Sequence, residues 1–279
     1  MLDRIYLEIT NICNMDCSFC HKTSRKKRSM SEKEFDTILE KIEGKSKHLF
    51  FHLMGEPTMH PLLRRFIEKS YKKGFLPAIT TNGTLLDKVE KELLACLPYK
   101  ISISLHAPSA NPAFSSDSYL KSCVEFAKKA SRGGCFVALR LWNLGSGTDN
   151  SHILDFLHKE FPDEWQDQRG GSSQRISTKI FLEWAEQFEW PDPSLPERDL
   201  NADAFCYGVR GQIGILVDGT VVPCCLDSDG NIPLGNIFSS ELDSILASPR
   251  AKAIYDGFTR RCAIEPLCRK CGYASRFSK

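Results

Sequence analysis

No stretch of this sequence approaches the apolar length of a bilayer-crossing helix. Its opening, MLDRIYLEIT, also lacks the basic start and apolar run of a secretion signal. A cytoplasmic location and no membrane partner are expected. Charge of one sign is scarce too: 37 Lys and Arg stand against 35 Asp and Glu, a net charge of +2. That balance supplies no global pull toward a polyanion, although local basic patches remain open. There is no internal repeat and no low-complexity tract, so no tandem array is expected.

What the chain does have is cysteine, 12 in 279 residues. In a chain of this length without a secretion signal, a disulfide framework is a poor explanation; metal ligation or redox chemistry is the better one. Hydrophobic residues make up 42%, enough for an ordinary core. The length suits one large domain, or one domain plus a small module.

Strand and helix signals alternate through the first two thirds. Strands are predicted over 4–10, 47–54, 76–83 (running into a turn), 100–107, 135–143 and 178–184. Helices are predicted over 31–44, 60–74, 84–96, 117–133 and 150–160. Ser31 with Glu34 reads as a capping box and Gly44 as a stop, while Pro61 and Gly74 bracket the second helix. This βα alternation implies a parallel sheet.

Fully covered parallel strands read as continuous apolar runs. Several here alternate instead. Ile5, Leu7 and Ile9 oppose Tyr6, Glu8 and Thr10; Leu49, Phe51 and Leu53 oppose His48 and His52. Ile101, Ile103 and Leu105 oppose Ser102, Ser104 and His106; Val137, Leu139 and Leu141 oppose Arg140 and Trp142. One face then packs on helices, and the polar face surrounds a cavity, as in a curved sheet. The plainer alternative is a sheet with a few satisfied buried polar groups.

Residues 186–204 are rich in Pro and Asp and read as a linker. Beyond them, GQIGILV-DG-TVVPCC reads as a hairpin turning at Asp218-Gly219, followed by helical segments near 239–248 and 249–258. The expected division is 1–185, a linker 186–205, and 206–279.

The first strand leads into Cys13-x3-Cys17-x2-Cys20. Thiolates favour zinc or iron–sulfur clusters, and structural zinc takes four ligands. Three thiolates on a four-iron cluster leave one iron open for something else. His21 adjoins Cys20 too closely to serve as a good fourth ligand. This spacing resembles the radical S-adenosylmethionine (SAM) superfamily. So do MGEP at 54–57, TTNG at 80–83 and SISLH at 102–106, each at or near a strand's C-terminal end, where parallel α/β folds place ligands. Met54 stands where that family has the first Gly of its Gly-Gly-Glu motif.

The resemblance implies an α/β fold: a partial parallel (β/α)6 barrel with a small C-terminal hairpin-plus-helix iron–sulfur domain. It implies that Cys13, Cys17 and Cys20 bind a [4Fe-4S] cluster whose open iron takes SAM. Phe19 would lie by the adenine. Gly55, Glu56 and Pro57 would hold the methionine amino group. Asn82, Ser104 and Arg140 would reach ribose or carboxylate, Arg140 by its planar fork; an ordinary ion pair is the alternative for Arg140. Electron delivery from a partner such as flavodoxin or ferredoxin would cleave SAM, and the 5′-deoxyadenosyl radical would take a hydrogen atom from substrate.

Cys206, Cys224, Cys225, Cys262, Cys268 and Cys271 crowd the last quarter. Their spacing resembles the twitch module, the shortened relative of the SPASM domain. The resemblance implies an auxiliary [4Fe-4S] cluster closed by Cys206, Cys224, Cys268 and Cys271. A four-thiolate zinc site is the alternative. Cys225 and Cys262 read as inert thiols, as replacement ligands, or as hydrogen-atom donors. Cys96, Cys123 and Cys135 fall in core patterns.

An auxiliary cluster suits a net oxidation of a small molecule or peptide. No peptide-binding module is expected ahead of the first strand. The basic run KTSRKKRS at 22–29, with Arg260, Arg261, Arg269, Lys270 and Arg276, keeps an anionic substrate or RNA modification in view; a solvated basic loop is the plainer reading. Candidate substrate contacts are Cys225, His52, His106, Glu8 and Tyr6. A function of another class, a non-catalytic iron–sulfur or zinc binding protein, would not need Glu56 and Asn82.

Overall fold

Six parallel strands carry the fold of this computed structural model, which describes residues 1–110, 117–163, 165–167, 171–197 and 204–277. They are β1 (Arg4–Leu7), β2 (His48–Phe50), β3 (Leu76–Thr81), β4 (Lys100–Ser104), β5 (Phe136–Leu144) and β8 (Ile180–Glu186), adjacent in that order. Helices α1 (Glu32–Ile42), α2 (Leu63–Lys72), α3 (Leu86–Ala95), α4 (Asp117–Arg132) and α5 (Ser151–Glu160) lie between them in sequence. The sheet stays open, as a partial barrel does.

Local chemistry accounts for these elements. Ser31 caps α1, its hydroxyl accepting from Glu34 N while the Glu34 carboxylate accepts from Ser31 N. The buried stripe of α1 is Phe35, Ile38, Leu39 and Ile42, and Phe35 stacks on Phe66 of α2 at 3.9 Å. Ile5, Leu7, Ile9, Leu49, Ile101, Ile103, Val137 and Leu139 are buried in this helix-side core. Tyr6 belongs to a separate cluster with Leu53, Leu216 and Val222. The strand alternation thus divides two environments, except at Leu53, which was expected beside Leu49 and Phe51 but, lying past the end of β2 at Phe50, joins the Tyr6 cluster.

Some boundaries moved. The strand expected over 4–10 ends at Leu7, because the chain then turns out to pair Thr10 with Ser29. The helix expected from residue 60 begins at Leu63, after a 3-10 turn at Pro57–Met59 capped by Glu56. A short antiparallel pair, β6 (Gln166–Asp167) and β7 (Ser173–Ser177), extends the sheet beyond β8.

The hairpin forms as β9 (Gln212–Ile215) and β10 (Thr220–Val222), with Gly219 at φ 86° in the turn. A Cβ there would also meet Phe238 at 2.4 Å. β9 pairs in parallel with β1, and β10 pairs with β11 (Gly235–Asn236). The C-terminal segment therefore continues the barrel sheet past β1. Helices α6 (Leu242–Leu246), α7 (Pro249–Thr259) and α8 (Pro266–Arg269) complete it. Part of the expected linker, 198–203, lies outside the described residues. Among the described residues no helix is long and apolar enough to cross a membrane.

A candidate active site between two cysteine groups

The loop that leaves β1 carries Cys13, Cys17 and Cys20, the first exposed and the others half-buried. Its conformation is set by short contacts. Cys20 N donates to Cys17 O at 3.1 Å, and Met15 N and Lys22 N approach the Cys13 and Cys20 sulfurs, each at 3.4 Å. Lys22 takes φ 63° and pairs with Asp16 at 2.6 Å.

Two strand ends hold this loop from below. Gly55, at φ 80°, lies so close that a Cβ would sit 2.4 Å from Thr10 O and 2.9 Å from Ile12 O. Glu56 N donates to Ile12 O at 2.8 Å. The buried Glu56 carboxylate accepts from Thr58 N, the Thr58 hydroxyl (2.6 Å) and Asn82 N (2.7 Å), tying the end of β2 to the end of β3. Burial raises its pKa despite these bonds. Pro57 starts the 3-10 turn and is buried. The Asn82 amide donates to Asn14 Oδ1 at 3.0 Å and accepts from Thr84, and it lies 4.0 Å from the Cys13 sulfur. Glu56 and Asn82 thus have partners within the fold, and both position the cysteine loop.

Above the strands is a cavity of about 650 Å³. Tyr6, His52, Thr80, Ser104, His106 and Arg140 reach it from the barrel, and Phe19 from the cysteine loop. Phe19 packs on His106 at 5.1 Å between ring centroids. His106 Nδ1 lies 3.1 Å from Arg140 O and 3.3 Å from Trp142 N; burial lowers its pKa to about 4. Burial, and then the nearby Arg140, lowers His52 to about 3. Burial lowers Arg140 to about 10, so it remains a cation at neutral pH.

The second cysteine group closes the same cavity. Cys206, Cys224, Cys225, Cys268 and Cys271 all line it. Burial raises Cys206 to about 11 and pushes Cys224 and Cys268 well up, and the charges of neighbouring thiols add to each shift. Cys206, Cys224, Cys268 and Cys271 therefore stand within electrostatic reach of one another. Cys225 is within the same reach, acting on Cys224 and feeling Cys206, and also sits beside the Tyr6 hydroxyl, whereas Cys262 is exposed. Cys123 and Cys135 are core residues, and Cys96 packs against the core. Among the described residues, no three His, Cys, Asp or Glu side chains converge on a point suited to a single metal ion. The donor set, soft thiols in groups of three and four, has the chemistry that iron–sulfur clusters take.

Glu8 was expected at the cavity and is not there. It is fully buried in a bidentate pair with Arg25 Nη2 (2.6 and 2.8 Å) and accepts from Val217 N at 2.9 Å. A carboxylate shut away from water needs such partners. Much of the basic run is committed in the same way: Arg28 pairs with Glu34, and Lys27 donates to Asn11 O at 3.2 Å. His21 stacks on Trp190 at 6.0 Å and lies 3.8 Å from Asp229.

Sequence reasoning passed over two features. One is the aromatic wall of Phe188, Trp190 and Tyr273, with neighbouring rings 5.4 and 5.0 Å apart. The other is a latch between the cysteine groups: Thr23 and Ser24 N bond Asp229 at 2.6 and 2.9 Å, and Arg25 Nε donates to Ser228 O at 2.8 Å. The only hint was the Asp-Ser-Asp-Gly run at 227–230, a generic turn signal.

The Radical SAM superfamily model matches residues 7–154, just over half of the chain. This chain belongs to the radical SAM superfamily. The cofactors of that superfamily are a [4Fe-4S] cluster and SAM. A second model, of the SPASM iron–sulfur cluster-binding domain, matches residues 206–272. The antilisterial bacteriocin subtilosin biosynthesis protein AlbA of Bacillus subtilis is 25% identical across 96% of this chain and 64% of its own length. Two solved structures share the fold. BtrN, in complex with AdoMet and 2-DOIA, gives a TM-score of 0.62 at 16% identity, covering 97% of this chain and 93% of its own. anSMEcpe, with bound AdoMet and a Cp18Cys peptide, gives 0.64 at 14% identity, covering 99% and 90%. The chain spans less than two thirds of the length of the curated relatives it matches.

Proposed function

We propose that this radical SAM enzyme abstracts a hydrogen atom from a peptide held in the central cavity and completes a net oxidation of it. The observation that carries this reading is one cavity bordered both by Phe19 of the first cysteine loop and by five thiols of the second group. In this reading Cys13, Cys17 and Cys20 hold the SAM-binding cluster, and Cys206, Cys224, Cys268 and Cys271 hold an auxiliary one. When bound at those residues, the first cluster would supply the electron for reductive cleavage of SAM and the auxiliary one would take up an electron from substrate.

The chain's own residues do the rest. Phe19 offers a flat apolar face for the adenine, and Ser104 a hydroxyl for the ribose. Gly55 and Pro57 set the backbone that meets the methionine end, with Glu56 and Asn82 keeping that backbone and the cysteine loop in place. The aromatic wall keeps water from the reacting centre. The division at 186–205 separates the supplier of the first cluster from that of the second. A peptide is favoured because AlbA, a bacteriocin biosynthesis protein, aligns along 96% of the chain, and because anSMEcpe binds a peptide in a similar fold. A cavity of about 650 Å³ suits a side chain and its flanking backbone. RNA modification has less support, since Arg25 and Arg28 of the basic run are engaged by Glu8 and Glu34.

Anaerobic reconstitution should give roughly eight irons per chain, as two four-iron clusters require. Replacing Cys13, Cys17 and Cys20 together by Ala should reduce this to roughly four and abolish 5′-deoxyadenosine formation. Continued SAM cleavage by the triple variant would refute the ligand assignment.

A further inference from the structure

Two buried side-chain nitrogens lack a hydrogen-bond partner among the described residues: Nδ1 of His52 and Nε of Arg140. Both residues border the same cavity. Leaving a buried polar atom unpaired forfeits its hydration with nothing in return, so native folds contain few of them. Two at one place, both able to donate, mark where an acceptor from outside the chain would sit.

The surroundings of Arg140 sharpen this. Its side chain is only 9% exposed. One guanidinium face lies on the Trp142 ring at 3.3 Å, and its one side-chain bond is a long 3.4 Å contact to the Thr80 hydroxyl. No acidic partner pairs with it among the described residues. Glu183, on the neighbouring strand, is taken by Lys100 at 2.7 Å. Asp227, also at the cavity, accepts from Asn231 N and Ile232 N, both at 2.8 Å. Among the described residues Arg140 is thus a buried cation with no ion-pair partner of its own, although the charge of Glu183 reaches it from the next strand.

We propose that Arg140 and His52 form the receptor for a carboxylate carried by the substrate. This rests on reading the cavity as the substrate site. Arg140 supplies one positive charge and His52 is neutral, which balances a singly charged carboxylate; a phosphate dianion would leave a buried negative charge uncompensated. The Arg140 backbone adjoins the cofactor end, because Ser104 is its cross-strand partner and its carbonyl meets His106, but its guanidinium points elsewhere. Cys13 has Asn82 and Glu56 as neighbours, whereas Arg140 lies among Thr80, Trp142, His52, Tyr6 and Tyr273, toward the second cysteine group. The family resemblance offered Arg140 to SAM; its neighbours assign it to substrate.

The test is calorimetric titration of the anaerobically reconstituted protein with three probes. N-acetyl-glutamate methylamide carries a side-chain carboxylate, N-acetyl-glutamine free acid an α-carboxylate, and N-acetyl-glutamine methylamide neither. At least one acid should bind ten-fold or more tightly than the neutral probe, and equally well with saturating SAM. Which acid binds separates an acidic side chain from a peptide's free C-terminus. Arg140→Gln should lose that preference, and Arg140→Lys should keep only part of it. Equal binding of all three probes by the wild-type protein overturns the proposal, as does displacement of the acid by SAM; neither outcome depends on variant folding. 5′-Deoxyadenosine formation, measured separately, tells failure of this receptor from failure of the radical SAM reading.

Discussion

His52 shows how one residue can be poor for stability and fitted to a site. Its Nδ1 is buried without a partner. Replacing it with an apolar ring removes an unpaired polar atom, so His52→Phe should be neutral or stabilising by about 1 kcal/mol at pH 8, read from urea midpoints. Acid should separate the two proteins. The unfolded chain protonates this His near its ordinary value of 6.5, while the fold holds it to about 3. Between those values the unfolded state binds more protons, so stability is full above the upper value and falls as pH drops through the window. The loss is at most about 1.4 kcal/mol per pH unit. At pH 5 the wild type should therefore have lost about 2 kcal/mol that His52→Phe retains. Parallel midpoint shifts in the two proteins would contradict this. The alternation of strand residues had already set His52, Ser104, His106 and Arg140 on one face. It could not distinguish them from Glu8, which has the same parity, because parity fixes a face and not the height along the strand or the partner found there.

At the scale of elements, the loop after β1 is held by charges that composition alone would call surface decoration. Arg25 pairs with the fully buried Glu8 and bonds Ser228 O, next to Asp229, which Thr23 and Ser24 grip. Removing one partner of a buried pair leaves the other charge uncompensated. Arg25→Ala should cost about 3 kcal/mol in urea unfolding, and Glu8→Gln in the same chain should restore much of it. Amide exchange should quicken in 21–25 and 227–229 in the single variant. Unchanged exchange at 227–229 would show that the latch does not join the two loops. Capping was easier to foresee. Ser31 and Glu34 gave away the start of α1 because the capping box is local chemistry, whereas β6 and β7 are too short for a periodic signal.

Across the whole molecule, the parallel pairing of β9 with β1 decides how the parts depend on each other. Arg4 through Leu7 are in register with Gln212 through Ile215. The segment that supplies the second thiol group therefore also covers an edge of the barrel. Urea unfolding followed by far-UV circular dichroism and by visible cluster absorbance should give coincident transitions. A chain ending at residue 205 should aggregate, because the edge of β1 is left unpaired. Two separate transitions, or a soluble truncated chain with native circular dichroism, would show instead that the two parts fold independently.

The sequence by itself determined the family and the kind of fold. Cysteine spacing, strand and helix periodicity, and the motifs at strand ends are all local, and local order survives in a linear string. Tertiary structure alone decided which polar residues meet. It withdrew Glu8 from the cavity, tied Glu56 and Asn82 to neighbouring strand ends, joined the two cysteine loops through Asp229, and left Arg140 and His52 with unpaired nitrogens facing one space. The reason is physical: a buried polar group takes its character from its partners, and here those partners come from far along the chain.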